Sequence, residues 1–157
     1  MCIIASVPAG AQVTEDQLSE MWNRNPDGGG VAYFVDGEIQ VEKDMKRDSF
    51  IETVLDVQQK YGNRDILVHM RIATHGAVCL DNTHPFEVNK TTVMAHNGIM
   101  PDAFIPPAKS ELSDTRFFIE YFMKYIPVQK LDDPYFTDMV DEMIGRGYPN
   151  KLVFMTS

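Results

Sequence analysis

The stretch VAYFV-DG-EIQVE, residues 31–42, decides the fold class. β-Branched and aromatic residues fill Val31 to Val35, and a second β-prone run covers Glu38 to Glu42. Asp36-Gly37 joins them, a pair suited to a two-residue turn whose central positions need positive φ. The stretch reads as a hairpin, so its strands are antiparallel. Upstream, Asn25-Pro26-Asp27-Gly28-Gly29-Gly30 interrupts any regular element. Before it, Thr14 opens a helix: T-E-D-Q has capping-box spacing, and Leu18, Met21 and Trp22 share one face. Ile3 to Val7 reads as a short apolar strand.

Downstream, Asp48 or Ser49 is expected to cap a second helix, with Phe50, Val54, Val57 and Tyr61 at helical spacing. Ile66 to Thr74 reads as a buried strand. Leu67, His69, Arg71 and Ala73 point to one face; Ile66, Val68, Met70 and Ile72 point to the other. Thr91 to His96 is a further strand, ended by Asn97-Gly98. Ser113 caps a third helix carrying Phe118, Tyr121, Phe122, Tyr125 and Ile126. Asp133-Pro134 starts a fourth, which Gly145 ends. Lys151 to Met155 is a last strand. Its abrupt stop reads as a cut-short C-terminus. Strands and helices come in groups, which with the hairpin favours α+β over a doubly wound parallel sheet.

The 157 residues suit one domain, 1–157. Hydrophobic residues make up 44% and charged residues 24%, as in an ordinary globular protein. A net charge of -9 argues against nucleic acid and anionic membranes as partners. The start, MCIIASVPAG, has no basic segment and too short an apolar run for a signal peptide. Two cysteines, Cys2 and Cys79, make no disulfide framework and read as reduced thiols of a cytoplasmic protein.

Four places carry candidate chemistry. Removal of Met1 would leave Cys2 with a thiol and an α-amine a few Å apart. The amine's reference pKa of roughly 7.7–8.0 lets it accept the thiol proton. Arg71 lies inside an apolar strand, where a guanidinium needs an anion; a substrate carboxylate or an internal acid would serve. Asn97-Gly98 can aim a side-chain amide and a backbone N–H at one point, as an oxyanion hole requires, or it is a plain turn. Asp114, in Ser113-Asp114-Thr115, is a helix-end carboxylate that could meet an ammonium. A carboxylate, an ammonium and an amide together describe glutamine or asparagine. The histidines 69, 75, 84 and 96 lack metal-ligand spacing, so neither a metal nor a cofactor is expected. Cys79 reads as a bystander.

These motifs resemble the class II, N-terminal-nucleophile glutamine amidotransferases. Met-Cys, Asn-Pro-Asp-Gly-Gly-Gly, HMRIATHG at 69–76, Asn-x-His-Pro-Phe at 82–86, AHNG at 95–98 and Ser-Asp-Thr at 113–115 stand in the family's order. The resemblance implies an N-terminal-nucleophile hydrolase αββα sandwich, two antiparallel sheets between helices. It makes Cys2 the nucleophile and its own amine the base. Arg71 would take the glutamine α-carboxylate, with Thr74 and His75 shaping the pocket. Asn97 and Gly98 would form the oxyanion hole, and Asp114 would take the substrate amine. The Asn-Pro-Asp-Gly form is similar to compact stand-alone members of bacteria and phages. Ile3 departs from the family's usual Gly, and Met70 and Ile72 stand where Thr and Trp are usual. The expected activity is hydrolysis of glutamine to glutamate and ammonia, with a synthase partner as one destination for the ammonia. The alternatives are a non-catalytic binding domain of the same fold and an N-terminal-cysteine hydrolase of another amide.

Overall fold

The computed structural model describes residues 1–145 and 149–157. Its strands are β1 (Ile3–Val7), β2 (Gly29–Val35), β3 (Glu38–Asp44), β4 (Ile66–Met70), β5 (Phe86–Asn89), β6 (Thr92–Asn97) and β7 (Lys151–Thr156). The helices are α1 (Glu15–Arg24), α2 (Arg47–Tyr61), α3 (Asp114–Tyr121) and α4 (Pro134–Gly145). The strands form two sheets, one ordered β1-β4-β2-β3 and the other β5-β6-β7, and every pairing is antiparallel. The α+β reading from the hairpin holds. None of the described helices is long and apolar enough to cross a membrane.

Side-chain alternation distributes the first sheet between two cores. Val31, Tyr33, Ile66, Val68 and Met70 pack with Leu18 and Trp22 of α1 and Phe50, Val54 and Val57 of α2. The intervening residues Ala32 and Leu67 pack with Val93, Ala95 and Met155 of the second sheet. A third core joins Phe86 and Met94 to Phe118 of α3 and Val140 and Ile144 of α4. Each large apolar side chain so buried contributes about 1.5–3 kcal/mol relative to exposure.

The helix starts follow side-chain chemistry. Thr14 caps α1 with a complete capping box, its hydroxyl accepting from Gln17 N while the Gln17 side chain accepts from Thr14 N. Ser113 caps α3 by accepting from Arg116 N. At α2 the expected cap is displaced. The helix begins at Arg47 after Lys46, and Asp44 does the tethering, accepting from Lys46 N and from the Ser49 hydroxyl. Ser49 is therefore spent on Asp44 rather than on the helix end.

Two other expectations change. The strand read as 66–74 ends at Met70; two residues past Arg71 the Ala73 N–H donates to the Asp27 side chain rather than to a neighbouring strand. The third helix stops at Tyr121. Phe122 leaves the helical region (φ -136, ψ -68) and a short 3₁₀ turn follows at Met123–Tyr125. Phe118, Phe122 and Ile126 still reach the third core, but Tyr121 and Tyr125 are 63% and 70% exposed.

Candidate active site

The ends of β1 and β4 bring Cys2 to Arg71. Ile3 pairs with Met70 across these strands, and Cys2 stands one step beyond that pair. Its Sγ lies 3.6 Å from the Ile72 carbonyl, to which the thiol donates. Burial pushes the thiol pKa up, while that hydrogen bond, the Arg71 charge and the N-terminal amine pull the other way. Met1 precedes it and is 76% exposed.

Arg71 is 2% exposed and its guanidinium is engaged with its own loop. One terminal nitrogen donates to the Ala77 carbonyl and the other to that of His75, both at 2.9 Å. Of five guanidinium donors, these bonds use two. Gly76 sits between the two carbonyls at φ 75, and a Cβ there would meet Ser113 N at 2.7 Å. The tight turn thus needs glycine both for its backbone angle and for its packing. Thr74 is exposed on this turn and His75 is half-buried.

The second sheet supplies the other wall. Asp114 is buried at the start of α3; it accepts from Met100 N at 2.9 Å and from Thr115 N at 2.8 Å. His75 Nδ1 lies 4.0 Å from its Oδ2. The same carboxylate therefore touches the Arg71 loop and the segment after Asn97-Gly98. The carbonyl oxygen of the Asn97 side chain is buried with no hydrogen-bond partner among the described residues. Gly98 has φ 150, and a Cβ there would fall 2.1 Å from Asn150 Oδ1.

His96 anchors this wall. Asn150 Nδ2 donates to Ile144 O, which fixes the amide's orientation, so His96 Nε2 donates to Asn150 Oδ1 at 2.7 Å. Burial lowers the His96 pKa, and the neutral ring's Nδ1 then accepts from the Thr115 hydroxyl at 2.7 Å. His69 Nε2 donates to the His96 carbonyl, and His84 stacks on His69 with centroids 4.1 Å apart. Burial drives the His69 pKa down to about 3 and that of His84 well below the ordinary value. No group of three His, Cys, Asp or Glu among the described residues is placed to hold a metal ion.

Three positions that the sequence reading quoted in motifs without a role organise the site. Asn25 is buried, and its Nδ2 donates to the Met1 carbonyl at 2.8 Å, holding the peptide bond that precedes Cys2. Asp27 binds the chain around Arg71 from both sides: its N–H donates to Arg71 O, and its carboxylate accepts from Ala73 N. Asn82 ties the Arg71 loop to the α3 start, donating to Ala77 O and Glu111 O and accepting from Ser113 N. Their residue types alone gave only turn signals.

The model of the family described as glutamine amidotransferases class-II matches residues 16–117. The chain belongs to this family. The matched segment of this class II glutamine amidotransferase holds Arg71, Thr74, His75, Asn97, Gly98 and Asp114; Cys2 lies before it. A Haemophilus influenzae protein carrying the provisional name glutamine amidotransferase is 32% identical over 111 residues, covering 64% of this chain and 37% of that protein. A Clostridium perfringens glutamine–fructose-6-phosphate aminotransferase (isomerizing) is 35% identical over 104 residues, covering 64% of this chain and 17% of that protein. The match thus takes in well under half of either relative's length.

Proposed function

We propose that this class II glutamine amidotransferase hydrolyses the side-chain amide of glutamine to glutamate and ammonia, with Cys2 as nucleophile once Met1 is removed. One observation carries the reading: the Cys2 thiol on the Ile72 carbonyl lies beside Arg71, whose loop meets Asp114 through His75. We read residues 1–157 as one domain and the order helices, sheet, sheet, helices as an N-terminal-nucleophile hydrolase sandwich.

In this mechanism the free α-amine of Cys2 accepts the thiol proton. The thiolate attacks the side-chain carbonyl carbon, and the oxyanion is met by the Asn97 side-chain amide and the Gly98 N–H. As the oxyanion collapses, the C–N bond breaks and the amine's proton goes to the departing ammonia. Water then attacks the thioester, releasing glutamate and restoring the thiol. Arg71 holds the α-carboxylate with donors not used by its loop, Asp114 holds the α-ammonium, and Thr74 and His75 bound the pocket. A separate catalytic unit would consume the ammonia by transfer to an acceptor; without one, the reaction is a glutaminase. A cytoplasmic setting with reduced thiols suits this chemistry. The test is ammonia release from glutamine by Met1-free protein, with a panel of other amides to separate a glutaminase from a hydrolase of different specificity.

The bonds of Arg71 to His75 and Ala77 favour one rival. A guanidinium already engaged inside its loop is also what a non-catalytic domain of this fold would carry. Glutamine binding without ammonia release from Met1-free protein would select that rival.

A further inference from the structure

Among the cations of this acidic chain, Arg24, Arg47, Lys60, Lys124 and Lys130 each meet a carboxylate within 4.0 Å. Lys43 and Arg116 are half-buried, yet among the described residues neither has a carboxylate at that distance. Both line one cavity of about 390 Å³, formed by the end of β3, the start of β5, the first turns of α3 and the loop through Asp81. That volume lies within the range of small-molecule sites.

We propose that this cavity binds a small organic phosphate, with its phosphate between Lys43 and Arg116. The inference goes beyond the glutamine reading and does not depend on it. Lys43 and Arg116 are like charges close enough to repel one another, in a chain with 23 acidic and 14 basic residues, and an anion between them would relieve that repulsion. The acids of the cavity do not complete them: Asp81, Glu87 and Glu120 are exposed, and Glu120 is engaged by Lys124. Burial lowers the Lys43 pKa to about 8, with the nearby Arg116 charge adding to the effect; Glu87 and Asp81 pull upward without offsetting it. A bound dianion would reverse that balance and restore the full Lys43 charge. The Phe86 ring, 4.7 Å from the Lys43 ammonium, and the side chains of Val41 and Ile119 give the organic part an apolar wall. Arginine suits the three-oxygen face of a phosphate through its planar fork, and lysine adds a point charge.

The experiment is calorimetric titration of the full chain at pH 8 with ribose 5-phosphate, ribose and inorganic phosphate, each in two buffers of different ionisation enthalpy. Ribose 5-phosphate is expected to bind saturably with proton uptake, ribose not at all, and inorganic phosphate at least 10-fold more weakly. Lys43→Gln should weaken ribose 5-phosphate at least 10-fold and remove the proton uptake. Arg116→Gln should weaken it by a similar factor while keeping the uptake, and it serves as the independent variant should Lys43→Gln unfold by circular dichroism. Glu87→Gln should tighten binding. No saturable binding of ribose 5-phosphate, equal affinity for inorganic phosphate, or binding untouched by the folded variants would overturn the proposal.

Discussion

In the proposed site Arg71 and Asn97 come from different sheets, and they are held in opposite ways. Arg71, past the end of β4, is buried with two guanidinium nitrogens on carbonyls of its own turn. Asn97, the last residue of β6, keeps a buried side-chain oxygen with no partner among the described residues. A buried polar group without a hydrogen bond costs stability, and such groups are rare in folded proteins. Arg71 thus stabilises the fold while it shapes the site, whereas Asn97 gives up stability. The unpartnered oxygen can only accept a hydrogen bond; in the proposed mechanism it is the NH2 of the same side chain that would donate to the oxyanion. Asp114 resembles Arg71 in being tied down, by Met100 N and Thr115 N.

The sharpest way to break the comparison is to remove Cys2, the proposed nucleophile. Cys2→Ala is expected to lower ammonia release from glutamine by at least about a thousandfold with an unchanged melting temperature, in line with loss of a nucleophile. Cys79→Ala should stay within about twofold. Loss of activity in Cys79→Ala with retention in Cys2→Ala would move the chemistry elsewhere.

Asn97→Ala comes next. Its turnover should fall about a hundredfold, the usual effect of deleting one oxyanion donor, with KM little changed. Its thermal stability should be equal or higher, because the alanine removes an unpartnered oxygen. A large drop in melting temperature would mean that Asn97 is as structural as Arg71.

Arg71→Lys should move both readouts. KM for glutamine is expected to rise about tenfold or more, because lysine keeps the charge and loses the fork. Stability should fall by about 1.5–3 kcal/mol, because one of the two turn carbonyls loses its charged donor. Urea melts and initial-rate kinetics separate these effects. A stability loss with unchanged KM would leave Arg71 as a clasp alone.

Much of this was legible in the residues. The Asp-Gly hairpin fixed antiparallel pairing, and Thr14 and Ser113 announced their helices, because those signals are local. Period-two alternation in Ile66 to Met70 correctly divided the strand between the helix-side core and the inter-sheet core. The β5 strand was missed, since Phe86–Asn89 is four residues long and was read only as part of a motif. The Arg71 clasp was also out of reach. Its partners are backbone carbonyls four and six residues on, and backbone acceptors carry no sequence signature. Asn25, Asp27 and Asn82 act through contacts between distant segments, so turn propensity described them without giving their work.

A further expected effect, on stability alone, concerns the neutral histidine stack beneath the Asn97 wall. In the unfolded chain these rings titrate near 6.5. In the folded chain His69 titrates at about 3, with His84 and His96 also lowered. Between those limits the unfolded state binds more protons. Stability is therefore full above about pH 6.5 and declines as pH falls, by up to about 1.4 kcal/mol per pH unit for each such ring. Melting temperatures across pH 7 to 5 should show this fall, and His84→Phe, which can still stack on His69, should flatten it. An unchanged slope in His84→Phe would take that ring out of the acid response.

The N-terminus offers the most direct test of Cys2 as nucleophile and its own amine as base. Two preparations of one sequence, with and without Met1, are treated with the glutamine-like electrophile 6-diazo-5-oxo-L-norleucine across pH 5–9, and intact and peptide masses are recorded. Met1-free protein should gain one adduct on Cys2, at a rate that rises through roughly pH 7–8 as the amine becomes neutral. Met1-bearing protein, whose amine is tied up in the peptide bond that Asn25 holds, should gain none at any pH. Rapid Cys2 labelling and glutamine turnover by the Met1-bearing form would show that another base activates the thiol and would end the N-terminal-nucleophile mechanism for this chain.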